Sequence, residues 1–312
     1  MGRPWTWPMS QRHTAVDPIR RHRGQRTPAM TTTQRLLEHV DRIGAEHPPI
    51  DLATVDFTVR DPALVRERFG HVLDYMARVE LEVDRNVLEL GAMMPDPPEV
   101  DLQFYRDVWR DQEVAHGQVL DRLQQVIGRP AAVTDTETVS VRLRLLGVLA
   151  RVTPIQDMVR MLYYLTGMAT ERSAVIAYNR LHSGLLEAGE LAIAETAIAP
   201  IRRQEPPHYA FYKLSARGLA PTLSAWQKWL VRRLRATTFA PVGANTPSQR
   251  ADFGGVLVTL GFARDTDSFA HEISRVEHDL LRARRAGLRV PTYVVDALRD
   301  AVALHEARAG RS

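Results

Sequence analysis

Two Glu-x-x-His pairs, Glu113/His116 and Glu205/His208, each follow a lone glutamate at nearly the same distance: Glu80 lies 33 residues before the first pair and Glu171 34 before the second. Residues three apart share one face of a helix. A four-helix bundle can therefore use the order Glu, Glu-x-x-His, Glu, Glu-x-x-His to turn four carboxylates and two imidazoles toward two metal ions in its core. Few other folds have a use for this spacing.

The rest of the chain agrees with helices. From residue 31 onward apolar positions recur at helical spacing and strand-like alternation is absent, so an all-α fold is expected. Asp61-Pro62 is an N-cap followed by proline in the first turn, opening a helix that runs to about Met94, where Pro95, Pro97 and Pro98 stop it. A second helix is expected from Glu99 to Ile127, ended by Gly128 and Pro130, and a shorter one from Glu137 to Arg151. Thr153-Pro154 repeats the cap signal for a long helix to about Leu186. A further helix begins near Gly189-Glu190 and continues toward Arg235, with interruptions at Pro200, Pro206 and Pro207. The turn-rich run Val242 to Pro247 marks a boundary, after which helices are expected near 248–261, 266–285 and 292–309.

These boundaries place the acidic residues at matching heights. Two residues on antiparallel helices are level when they are equally far from the connecting loop. Glu80 and Glu113 each stand 14 residues from theirs, and Glu171 and Glu205 each stand 15. Facing agrees as well. Glu80 shares its stripe with Leu73, Met76, Ala77, Val83 and Val87, whereas Glu82 keeps company with Arg78, Arg85, Asn86 and Glu89 and is expected in solvent. Glu113 and His116 align with Tyr105, Trp109 and Leu120; Glu171 with Tyr164, Met168 and Tyr178; Glu205 and His208 with Ile198, Ile201 and Tyr212. Four carboxylates buried together repel strongly and desolvate at a cost of several kcal/mol each. Two divalent cations cancel that charge, which is the physical reason to expect a two-metal site.

Composition narrows the choice of ligands. The chain has no cysteine, which excludes disulfides, thiolate-held zinc and a cysteine nucleophile and leaves oxygen and imidazole donors, suited to iron or manganese. Residues 1–29 carry six arginines against Asp17, a charge of +5 in a chain whose net charge is +4, so the remainder is −1. This Arg- and Pro-rich segment is expected to be a disordered tail, residues 1–30, with Met30 as the original start. The folded part is not basic, so nucleic acid is not an expected partner. No apolar run approaches a membrane span and no secretory signal is visible, so a cytoplasmic protein with no membrane partner is expected. A phosphate-binding loop, a dinucleotide fingerprint and a Gly-x-Ser-x-Gly elbow are all missing from the sequence.

The segments Trp109-x-x-x-Glu113-x-x-His116-Gly117, Thr170-Glu171-Arg172-Ser173-Ala174 and Glu205-x-x-His208 with Tyr209 and Tyr212 resemble the ferritin-like di-iron carboxylate proteins. The local likeness is nearest to the acyl-carrier-protein desaturases and covers residues 61 to about 220, roughly half the chain. The resemblance implies a ferritin-like four-helix bundle with one long crossover at 31–241, and a C-terminal helical extension at 242–312. It implies that Glu80, Glu113, His116, Glu171, Glu205 and His208 bind two iron ions, with manganese as the alternative. It further implies a dioxygen-activating oxidase or oxygenase that uses an electron-donor protein and acts on an apolar small-molecule or carrier-bound substrate. A homodimer is the expected assembly.

On the same resemblance, Met76, Tyr105, Trp109, Tyr164, Met168 and Tyr178 are candidates to line the substrate pocket, with plain core packing as the alternative. Three positions depart from the family. Gln204 stands where an acidic residue orients the opposite imidazole, leaving Asp84 as the candidate for that role. Ala174 stands where desaturases carry a threonine. Pro206-Pro207 interrupts the second pair, and because proline removes helix hydrogen bonds, the helix is expected to restart with Glu205 as N-cap and Pro206 as first residue. The competing reading is a metal-free interaction or regulatory bundle whose carboxylates pair with Arg172 and Arg202. His271, Glu272, Glu277 and His278, interleaved with arginines, are expected to form a solvated face.

Overall fold

The protein is described by a computed structural model covering residues 31–94, 96–134, 147–148, 150–282 and 290–311. The basic tail and nearly all of the helix expected at 137–151 lie outside the described residues. Among the described residues the fold is all-α, with no strand.

The first helix, α1 (Thr32–Glu46), leads through a short 3₁₀ turn (Leu52–Thr54) to α2 (Pro62–Leu81). Asp61 caps α2 by accepting from the Leu64 N–H at 2.9 Å, with Pro62 in the first turn. The single long helix expected to reach Met94 is broken at Glu82, beyond which α3 (Val83–Met93) continues. Glu82 is not solvated as its neighbours suggested. It is 3% exposed and is held by Arg78 at 3.3 Å and Arg85 at 2.6 Å, one turn away on either side, so that paired charge replaces hydration.

The next helical segment starts as α4 (Glu99–Gln103), passes through a π-helical stretch (Phe104–Trp109) and continues as α5 (Arg110–Val126). Then α6 (Thr153–Glu187) runs for 35 residues, close to its expected limits, although Thr153 is its first residue rather than its cap. A short α7 (Leu191–Ile193) again passes through a π-helical stretch (Ala194–Ile198) into α8 (Ala199–Leu219). Pro206 and Pro207 lie inside α8, with no restart at Glu205. Pro206 is exposed and Pro207 half-buried, and the residues four before them, Arg202 and Arg203, are not buried either, so solvent can reach the carbonyls that the prolines leave unpaired. The opposite face of α8 buries Ile201, Glu205, His208 and Tyr212, which holds the helix together across the two imino acids.

Four helices follow: α9 (Ala225–Thr238), α10 (Pro247–Thr259), α11 (Thr266–Arg282) and α12 (Thr292–Ala309). Ser224 with Gln227 and Thr246 with Gln249 form capping boxes that start α9 and α10.

Three pairings dominate the packing, α6 on α8, α2 on α5 and α10 on α12. The first two rely on glycine at close approach. A Cβ on Gly117 would lie 2.6 Å from the Leu81 side chain, and one on Gly167 would lie 2.1 Å from the Tyr212 ring. Helices α2 and α6 run antiparallel: Phe69 meets Gly184, the Tyr178 hydroxyl meets Glu80, and Gln156 reaches the Asp96 carbonyl. Helix α1 packs on α8, while α9 and α11 pack on α6 and α10 packs on α2. Arg235 ties these last helices down. It is 3% exposed, bonds Glu277 at 3.1 Å and donates to Thr166 Oγ1 and the Leu165 carbonyl on α6. Glu277, expected on a solvated face, is 1% exposed and also accepts from Tyr293.

Candidate metal centre

All six sequence-derived residues converge. Two groups of four have ligand atoms within 4.8 Å of one another: Glu80, Glu113, His116 and Glu205, and Glu113, Glu171, Glu205 and His208. Glu113 and Glu205 belong to both groups, so each group contains one lone glutamate, one imidazole and the same two pair glutamates. Across the cluster, His208 Nδ1 lies 2.9 Å from Glu113 Oε1, and His116 Nδ1 lies 3.3 Å from Glu205 Oε1 and 3.5 Å from Glu113 Oε2. Five residues of the six are buried, and Glu80 is partly open to an adjoining cavity.

The atoms that face one another are poorly satisfied. Glu113 Oε1, both Glu205 oxygens, His116 Nδ1 and His208 Nδ1 are buried and make no hydrogen bond, although they lie close together. Such unsatisfied polar atoms are costly in a folded interior. Oxygen and imidazole donors converging in this way fit divalent metal ions, and each lone pair now without a partner would then have one.

Without metal, burial and mutual charge shift the proton affinities of these groups. Burial first, and the Glu113 charge second, push Glu80 well above the ordinary carboxylate range, and Glu80 shares a hydrogen bond with Glu113. Burial and then the charges of Glu113 and Glu205 do the same to Glu171. Burial alone would raise Glu113 too, but the close approach of Glu80, His116 and His208 together holds it well below the usual range. Burial disfavours the charged form of His116, yet the nearby Glu113 and Glu205 carboxylates outweigh this and raise it to about 10.

Surrounding groups hold the ligands in place. Tyr178 donates to Glu80 Oε1 at 2.6 Å and the Trp109 indole N–H donates to Glu171 Oε1 at 3.3 Å, so each lone glutamate rests on one aromatic donor. On the far side of each imidazole stands a glutamine: His116 Nε2 is 2.7 Å from Gln204 Oε1, and His208 Nε2 is 2.5 Å from Gln112 Oε1. Asp84 plays no part in this, since its carboxylate is taken by Arg110 at 2.7 Å near the surface. The role belongs to the residue just before each Glu-x-x-His pair, and each glutamine serves the opposite pair. The repeated sequence Gln-Glu-x-x-His, present at both 112–116 and 204–208, was the signal for it.

The arginines that a metal-free bundle would need are engaged elsewhere. Arg172 pairs with Glu272 and Arg202 contacts His182 Nδ1 at 3.2 Å. Among the described residues, the ion pairs of Glu113, Glu171 and Glu205 are made with His116 and His208 alone.

Beside the cluster, between α2 and α6, lies a cavity of about 1030 Å³. Glu80, Glu113, Glu171 and Glu205 form part of its wall, and Val242, Phe253, Leu257 and Phe269 from the C-terminal part of the chain line it as well. Of the expected lining residues, Met76 and Trp109 reach it. Tyr105, Tyr164, Met168 and Tyr178 are at most 2% exposed and pack in the core.

No family model, curated protein or solved structure matches this chain. The fold and site define an all-α protein with a buried glutamate–histidine cluster of metal-binding geometry.

Proposed function

We propose that the protein is a ferritin-like di-iron carboxylate oxidase or oxygenase acting on an apolar organic or carrier-bound substrate. One observation carries the reading: the six residues form two overlapping four-residue groups that share Glu113 and Glu205. Two divalent ions would contribute +4 against four carboxylates, turning the most repulsive spot in the core into a neutral one. Glu80 and His116 would serve one ion, Glu171 and His208 the other, with Glu113 and Glu205 between them. Iron held there supplies redox chemistry toward dioxygen.

The chain's own residues would do the rest. Tyr178 and Trp109 orient the lone glutamates, and the largely apolar wall between α2 and α6 excludes water and accepts a substrate beside Glu80. An electron-donor protein would be needed, and manganese is the alternative metal.

The test is anaerobic loading with ferrous iron, followed by metal analysis and absorption spectra on admitting air. About two irons per chain are expected, with a ligand-to-metal absorption band that is lost in Glu113→Ala and His208→Ala variants. Wild-type protein that holds no iron, or variants that bind it as well as wild type, would reject the reading.

A further inference from the structure

The glutamines behind the imidazoles are doubly anchored. Gln204 donates its amide N–H to the Pro48 carbonyl at 2.7 Å, and Gln112 donates its own to the His47 carbonyl. A backbone carbonyl can only accept, so the NH₂ of each amide must face it and the Oε1 must face the imidazole. An Oε1 atom in turn can only accept. Each imidazole therefore carries a proton on Nε2, and Nδ1, which faces the carboxylates, is the nitrogen left to offer a lone pair to a metal ion. Gln112 is 1% exposed and Gln204 5%, so water does not compete for these bonds. The carbonyls of His47 and Pro48 belong to the segment following α1, which is itself held to α8 by His39 Nε2 and the Pro207 carbonyl at 2.9 Å.

Charge is the second consequence. A carboxylate behind an imidazole makes it a more basic ligand and brings a negative charge close to the metal. An amide fixes the tautomer equally well and brings none. Two carboxylates at 112 and 204 would add −2 to a dry site already containing four glutamates, where charge is poorly screened.

We propose that Gln112 and Gln204 are crossed positioning residues that select Nδ1 ligation and keep the centre electrically neutral in its divalent state, so that it resists oxidation to the trivalent state more than one backed by carboxylates. This rests on the metal-centre reading above.

The experiment uses the full chain loaded with cobalt(II), then with iron, as wild type and as Gln112→Glu, Gln204→Glu, Gln112→Leu and Gln204→Leu variants. Thermal melts of the metal-free proteins identify which variants fold. Each glutamate variant is expected to favour ferric over ferrous iron by about tenfold more than wild type, a fall in potential of about 59 mV for a one-electron couple. Each leucine variant is expected to lose about 10- to 100-fold in cobalt affinity and to alter the cobalt spectrum. Wild-type protein that binds neither metal would reject the metal centre itself. Wild-type binding with an unchanged potential in the folded glutamate variants would overturn the proposal and leave the centre standing. If the glutamate variants do not fold, the leucine variants decide, with unchanged cobalt affinity overturning the proposal.

Discussion

At the level of single residues, the site shows how buried acids shape one another. Burial and neighbouring carboxylates push Glu80 and Glu171 well above the usual carboxylate range, and the carboxylates beside His116 raise it to about 10. Metal ligation requires these groups without their protons, so binding must displace protons. Low pH keeps the protons in place and weakens binding, and affinity should climb as pH rises from 6 to 8. Calorimetry of cobalt binding in two buffers of different ionisation enthalpy should give a net release of protons at pH 7. A release near zero would contradict the protonation pattern. Composition excluded thiolates, the Glu-x-x-His repeats named the clustered residues and the Gln before each pair marked its place, but which imidazole each glutamine backs became legible only in three dimensions. A Gln at position 112 or 204 has no preferred neighbour until a second helix presents an imidazole.

Among the elements, helix limits followed local signals closely for the end of α5, before Gly128 and Pro130, for α6 with Pro154 in its first turn, for α10 with its Thr246–Gln249 capping box, and for α12 after Pro291. The break at Glu82, the π-helical stretches and the unbroken passage through Pro206-Pro207 were not legible. Helical period and propensity do not reveal them. Arg78 and Arg85 hold Glu82 buried at the break, and burial of one face of α8 sustains a helix whose local propensity is poor. Both Glu-x-x-His helices carry a π-helical stretch upstream of the pair, a feature frequent near functional sites and almost invisible to local propensity. The close contact of α6 with α8 is testable. Gly167→Ala would drive a methyl into the Tyr212 ring, one turn beyond His208, and should cost about 1–3 kcal/mol in urea unfolding. The added substitution Tyr212→Leu should restore part of the loss. An unchanged midpoint for Gly167→Ala would mean that this pair of helices is less closely packed.

In the molecule as a whole, the cluster is enclosed from two sides. The segment after α1 backs the histidines through the two glutamines, and the C-terminal helices line the cavity that opens beside Glu80. The Arg235–Glu277 pair helps fasten these helices, with both partners almost fully buried. Arg235→Met would leave Glu277 buried with no guanidinium, at a cost of about 3–5 kcal/mol. Adding Glu277→Gln should recover much of this in the same denaturation experiment. Equal stabilities for Arg235→Met and wild type would show that the pair does not hold these helices.

Residue identity and spacing, read along the chain, determined the all-α class, most helix limits and which six side chains form the cluster, because helical period and loop distance are set by local geometry. Only the tertiary structure decided what surrounds them: the crossed glutamines, the buried Glu82 and Glu277, the arginines engaged elsewhere and the cavity lined in part from the C-terminal side. Those features depend on which groups lose water together, and desolvation is a property of the packed interior that no stretch of sequence carries alone.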